Sequence, residues 1–207
     1  MFTKHLKNTS MNSLRQDMEI MSAGAQGGCG PLYYHVLPRL INKFCLSVGA
    51  EIGVCLGGHS EAMLLNTPLQ KLYSIDPYIY SQGSTDGHVL PSGKGFDQPE
   101  YDAMYEYTKD RLSAFGDRNI FIRKTSVDAA NEVNELLDFV FIDARHTYDA
   151  VLEDISIWGA KIPPGGLICG HDFEHPNFPG VTQAVRTMFR GHGVINIEPG
   201  YVWWVQK

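Results

Sequence analysis

The chain has 207 residues, 43% hydrophobic and 19% charged, enough for one globular domain with a sizeable buried core and short for two. Its net charge of −6 disfavours broad contact with nucleic-acid backbone or an anionic membrane, so no nucleic acid and no membrane is expected and a small molecule is the default partner. The cysteines at 29, 45, 55 and 169 form neither a C-x-x-C pair nor a metal-knuckle spacing, and no apolar run approaches about 18 residues, so a reduced, soluble, cytoplasmic protein is expected.

Residues 1–30 are polar and methionine-rich and end in SAGAQGGCG, which reads as a helix-prone arm and hinge ahead of a domain at 31–207. The next segment, PLYYHVLPRLINKF, spaces its apolar residues helically, with Pro38 expected to kink or restart the helix. Apolar runs then suggest strands at about 48–54, 71–76, 119–124, 137–143, 166–172, 193–197 and 201–206. Helical spacing appears at 59–66, 100–115, 148–159 and 181–190, with a short helix at 127–135.

Strand and helix thus alternate until two final strands with no helix between them. This predicts an α/β fold: a Rossmann-like, doubly wound, seven-stranded sheet, mostly parallel with an antiparallel last strand. Residues 77–99, PYIYSQGSTDGHVLPSGKGFDQP, interrupt the alternation as a long loop on the carboxyl edge, either an inconsequential insertion or a substrate lid or oligomer contact. The closing Tyr201, Trp203 and Trp204 suit a strand packed on helices, with Trp203 or Trp204 facing outward to support a homodimer.

The stretch SVGAEIGVCLGGHSEAM followed by KLYSIDPY reads as strand, glycine turn, helix and a second strand ending on an acid. Gly53, Gly57 and Gly58 let a ligand approach the backbone where the helix presents free N–H groups. Asp76 lies 18 residues beyond Gly58, about where a ribose-binding acid belongs. A dinucleotide fingerprint begun at Gly53 needs glycine at 55, yet Cys55 stands there and crowds a pyrophosphate. S-adenosylmethionine carries no phosphate, and Glu51 at the strand end suits its cationic amine and sulfonium. That favours a methyltransferase; an NAD-dependent oxidoreductase and a non-catalytic donor-binding scaffold subunit are the alternatives.

The strand ends LLDFVFIDARHTYDAV and PPGGLICGHDFEH bring Asp143, His146, His171 and Asp172 toward the same edge. His146 directly precedes a helix, whose positive end is expected to keep the ring neutral and fit to act as general base. Asp143, His171 and Asp172 are a candidate set for a divalent ion, Mg²⁺ or a softer one, with a metal-free site as the alternative. The string from His171 to His175 also matches the zinc-peptidase pattern H-x-x-E-H, but a preceding strand and Pro176 argue against the helix that pattern needs. Ser126 is either a helix N-cap or an adenine-edge contact. The Phe178-Pro179-Gly180 run reads as helix entry.

The blocks AEIGVCLGGHSEAML, YEYTKDRLSAFGDRNIFIRKTSVDAA, DFVFIDARHTYDAVLEDISIWGAKIPPGGLICGHDF and FPGVTQAVRTMF resemble the class I S-adenosylmethionine-dependent methyltransferases called methyltransferase family 24, relatives of the macrolide-sugar and catechol-type O-methyltransferases. The resemblance covers roughly residues 45–192. It implies a seven-stranded sheet with the donor across the first strands. By position it makes Glu51, Gly53 and the Gly57-Gly58-His59-Ser60 turn the donor loop, Asp76 the ribose acid, Ser126 and Val127 the adenine contact, and Asp143 the strand-end acid on donor or metal. His146 stands where the sugar-methylating relatives carry their base. The pair after the fifth strand is His171-Asp172, where those relatives have acids or amides, which sets metal dependence apart from donor binding. The implied reaction is O-methylation of a small-molecule hydroxyl.

Overall fold

The computed structural model of the chain describes residues 14–23, 33–80, 97–191 and 193–207. Among the described residues, seven strands form one sheet in the order β3-β2-β1-β4-β5-β7-β6. They are β1 (Val48–Ile52), β2 (Lys71–Ile75), β3 (Asn119–Ile122), β4 (Phe139–Ile142), β5 (Leu167–Gly170), β6 (Asn196–Glu198) and β7 (Val202–Gln206). The first five run parallel, and β7 pairs antiparallel with both β5 and β6. This is the expected architecture, with β6 displaced a few residues toward the C-terminus.

Central strands in a covered sheet need apolar side chains on both faces, and FVFI of β4 supplies them. Phe139 and Phe141 face one layer with Leu167, Cys169 and Trp204, under α1 (Val36–Phe44) and α2 (Gly58–Asn66). Val140 and Ile142 face the other with Ile168 and Trp203, under α4 (Ser126–Ala130), α5 (Tyr148–Gly159) and α6 (Pro179–Met188). Between α2 and β3 come α3 (Gln98–Leu112), opened by a capping box of Asp97 and Glu100, and a 3₁₀ turn at Ser113–Arg118. Residues 14–22 form an arm helix whose Met18 and Met21, fully buried, pack with Leu56, Tyr78 and Met104.

Several local expectations are corrected. Pro38 lies in the first turn of α1, where its nitrogen owes no intrahelical hydrogen bond, so it neither kinks nor restarts the helix. Trp203 and Trp204 are both buried, 0% and 9% exposed, so neither offers an outward face for a dimer; β7 lies inside the sheet, with β6 outside it. Thr125, not Ser126, is the N-cap of α4, accepting from the Asp128 N–H. Of the long 77–99 segment, 77–80 is irregular, with Tyr78 at φ +47°, and α3 starts at 98; the lid or oligomer reading of the rest lies outside the described residues. No helix among the described residues is long and apolar enough to cross a membrane.

Candidate active site

The carboxyl ends of β1, β2, β4 and β5 meet in one crevice. Gly53 directly follows β1 with φ +92°, and its N–H donates to the Ile75 carbonyl at 2.9 Å. A Cβ there would stand 2.0 Å from the Asp143 carbonyl oxygen, so glycine is what lets the tips of β1 and β4 touch. Gly57, φ +73°, is the N-cap of α2. Asp76 holds the turn from below: its Oδ2 accepts from the Val54 and Cys55 N–H groups at 3.0 and 3.1 Å, and its Oδ1 from Tyr78 N–H at 3.0 Å. Burial raises its pKa, and those three N–H groups oppose the rise.

Glu51 is buried at the end of β1. Its Oε1 lies 2.7 Å from His59 Nδ1 and its Oε2 accepts from the Ser60 hydroxyl. Ser126 turns its hydroxyl inward, donating to Asp154 and accepting from Trp158 Nε1 at 2.8 Å, while Val127 is 39% exposed.

Beyond the glycine turn, Asp143 and His146 follow β4 while His171 and Asp172 follow β5, with the His171 N–H bonded to the Ile142 carbonyl at 3.1 Å. These four converge. His146 Nε2 is 2.8 Å from Asp172 Oδ2 and 3.7 Å from Asp143 Oδ1; His171 Nδ1 is 3.2 Å and 3.6 Å from the same two oxygens. Asp172 takes φ +61°, a strained value for a non-glycine residue, as its side chain turns into the cluster.

The charges follow from this packing. Burial works against a proton on either imidazole, but hydrogen bonds to Asp143 and Asp172, and their charges, outweigh it and raise both rings from 6.5 to about 10. Burial likewise opposes the Asp143 carboxylate, yet bonds from His146, His171 and Tyr33 hold it well below the usual range, and Asp172 is lowered for the same kind of reason. The expectation of a neutral His146 is therefore corrected for the ligand-free chain: two close carboxylates act more strongly than the start of one helix. Asp143, His146 and Asp172 present ligand atoms all within 4.8 Å of one another, and His171 Nδ1, of the expected set, faces the same two carboxylate oxygens. A cavity of about 10 Å³, room for one water, is lined by residues including Asp143, His146, His171 and Trp203.

Aromatic rings frame the cluster. Tyr33 donates its hydroxyl to Asp143 Oδ2 at 2.7 Å and stacks on His171 at 4.0 Å. Phe178, at the entry of α6, stacks on His146 at 4.1 Å, so the helix-entry residue also borders the site. The turns at 171–178 lack the helix that H-x-x-E-H requires, and Glu174 pairs instead with Arg186 at 2.7 Å. Tyr33 carries no spacing signal that marks it as functional and reaches the crevice only through the tertiary fold, whereas His59 lies in the turn that the resemblance makes the donor loop.

A family profile described as a methyltransferase domain matches residues 50–173. An uncharacterised protein of Acanthamoeba polyphaga mimivirus is 24% identical over 163 residues, covering 75% of this chain and 66% of that protein, so the chain spans just under two thirds of that relative's length. Among solved structures, the O-methyltransferase from Bacillus cereus in complex with SAH superposes with a TM-score of 0.63 at 14% identity, over 94% of this chain and 91% of that one. TomG from Streptomyces achromogenes, an O-methyltransferase in complex with SAM, gives 0.61 at 14% over 95% and 89%. A calicheamicin methyltransferase, described in its apo form as a TDP-rhamnose 3′-O-methyltransferase, gives 0.61 at 16% over 84% and 77%. At such identities these likenesses establish the fold.

Proposed function

This chain belongs to methyltransferase family 24, the match running from β1 to the turn after β5, and from that premise we propose that it is an S-adenosylmethionine-dependent O-methyltransferase acting on a hydroxyl of a small molecule, a sugar or secondary metabolite rather than a catechol. The observation that carries this reading is the convergence of Asp143, His146, His171 and Asp172 beside the glycine turn. Cys55 in that turn supports a phosphate-free donor, and two structural neighbours were solved with SAM or SAH. The sugar preference leans on the neighbour that methylates TDP-rhamnose.

In this reading Gly53, Gly57, Gly58, Ser60 and Glu51 form the wall at the amino-acid end of the donor, and Asp76 with Ser126 and Val127 the adenosine end. Methyl transfer from a sulfonium needs alignment, exclusion of water and a destination for the acceptor's proton. His146 is that destination. The two carboxylates hold its ring charged in the ligand-free chain, and any cation drawn to Asp143 and Asp172, the sulfonium included, weakens that hold and moves the ring toward the neutral form. The mixed set of two carboxylates and imidazole fits a divalent ion softer than Mg²⁺, held by Asp143, Asp172 and His171, with His146 kept for the proton. Such an ion would orient the acceptor hydroxyl and lower its pKa.

Titration calorimetry with S-adenosylhomocysteine and with NAD tests the donor: binding of NAD alone overturns the reading. His146→Ala is expected to keep donor affinity and to lower turnover about 100-fold or more. Undiminished turnover makes His146 structural. Activity that falls on EDTA treatment and returns with Mn²⁺ supports the ion; indifference to both removes it from the mechanism. Donor binding with no methylation of any acceptor in a broad extract screen favours a scaffold subunit.

A further inference from the structure

His59 sits in the first turn of α2, 3% exposed, with Nδ1 2.7 Å from Glu51 Oε1. The other oxygen of Glu51 is taken by Ser60, whose hydroxyl also lies 3.2 Å from that of Ser74. A carboxylate can only accept, so the hydrogen on this edge of the imidazole sits on Nδ1, and Nε2 is the nitrogen left over. Nε2 is buried and has no hydrogen-bond partner among the described residues. Such a buried, unpaired nitrogen is costly to keep, and its burial calls for an explanation.

The surroundings of the ring supply one. Phe141, Tyr33 and Tyr34 stand 4.5, 5.2 and 5.4 Å away, centroid to centroid. Phe141 belongs to β4, but the tyrosines belong to the segment before α1, which lies over the glycine turn: a Cβ on Gly58 would be 2.7 Å from the Tyr34 ring. The ring of Tyr33 contacts both His59 and His171, and its hydroxyl reaches Asp143. One tyrosine thus spans from the His59 ring to the carboxylate cluster.

We infer that His59 is a donor-binding residue whose Nε2 accepts a hydrogen bond from the α-ammonium at the amino-acid end of the donor, in the space that Tyr33 covers in the ligand-free chain. This rests on the donor reading above. With Nδ1–H committed to Glu51, a ring that carries only that hydrogen presents a lone pair at Nε2, and the negative charge of Glu51 on its far side favours a cationic partner. Glu51 then acts on the ammonium through His59, as a positioning residue. An ammonium also completes the pairing of the His59 atom that the described residues leave unsatisfied.

The test uses calorimetry on the full chain with three probes: S-adenosylhomocysteine, its deaminated analogue, and 5′-methylthioadenosine, which lacks the whole amino-acid end. The wild-type protein should lose roughly ten- to hundredfold in affinity when the amino group is removed, the scale of one charge-assisted hydrogen bond. His59→Phe should bind S-adenosylhomocysteine weaker by a similar factor, ignore the loss of the amino group, and bind 5′-methylthioadenosine as the wild type does. His59→Gln, whose amide can donate to Glu51 and still accept, should recover most of the discrimination. The inference is overturned if His59→Phe weakens all three probes alike, which is the behaviour of a purely structural residue. It is also overturned by the wild type alone, whatever the variants' stability, if the deaminated analogue binds as tightly as S-adenosylhomocysteine. If the wild type binds none of the three, the donor reading itself fails and takes this inference with it, an outcome distinct from either of the others.

Discussion

Asp154 on α5 is 1% exposed and its carboxyl meets the Ser126 hydroxyl; burial pushes its pKa from 3.8 to about 6, with the Ser126 bond opposing. A raised carboxyl pKa means that the folded state holds this proton more tightly than the unfolded one. Its contribution to stability is therefore greatest below pH 4 and is lost as the pH rises through about 6. Asp154→Asn keeps the shape and removes the buried charge, so urea denaturation at pH 8 should show a stability gain of about 1–3 kcal/mol that vanishes at pH 4. An equal change at both pH values would assign the effect to packing. Ser126 itself shows what a motif leaves open. Its position after β3 was legible, but the direction of its hydroxyl depended on Asp154 and Trp158, about 30 residues further on and on a different helix. His146 is similar: its adjacency to a helix start could be read from the chain, while the two carboxylates that set its charge arrive from β4 and β5 together.

The element that organises the crevice is the turn from β1 to α2. Gly53 couples it to β4 through a contact that tolerates no side chain, since a Cβ would lie 2.0 Å from backbone oxygen at a φ of +92°. Gly53→Ala should therefore cost about 3 kcal/mol or more and abolish donor binding even in the fraction that folds. Chemical denaturation and calorimetry on the same sample separate the two losses, and a near-native melting curve would contradict the steric argument. Most element positions were readable because continuous apolar runs and helical spacing both survive burial on a two-faced sheet: α5 falls at Tyr148–Gly159, where the spacing put it. Pro38 was misread because spacing alone does not say where a helix begins. Two residues' difference in the starting point separates a tolerated first-turn proline from a kink.

Across the molecule, the arm helix is tied to the domain rather than set apart from it. Met18 and Met21 are fully buried against Leu56, Tyr78 and Met104, and Arg111 reaches the Ser22 hydroxyl at 2.5 Å and the Leu56 carbonyl at 3.1 Å. Leu56 lies in the glycine turn, so the arm packs on the turn proposed to wall the donor. Met21→Ala is expected to cost about 2–5 kcal/mol by the large-to-small scale for core methionines, and to weaken donor binding more than an equally destabilising substitution remote from the turn, such as Val185→Ala in α6. Thermal melting with and without S-adenosylhomocysteine compares the two, and equal ligand-induced shifts would disconnect arm from site. Leu14, Met18 and Met21 recur at i, i+4 and i+7 and mark one apolar face of the arm, but such a stripe does not say what covers it, and only the complementary surface of α3 and the turn identifies the partner.

The order of strands and helices, the parallel sheet with its reversed last strand, and the acids and imidazoles at the strand ends were all determined by the sequence, because these depend on local periodicity and on the rule that ligands gather at the carboxyl edge of such sheets. The tertiary structure alone decided what each polar group faces. It set two imidazoles against the same two carboxylates at the ends of β4 and β5, turned Ser126 inward, buried Trp203 and Trp204 beneath helices, and set Tyr33 against Asp143. Charge state and contact depend on distances between residues far apart in the chain, and those distances exist only once the strands are paired.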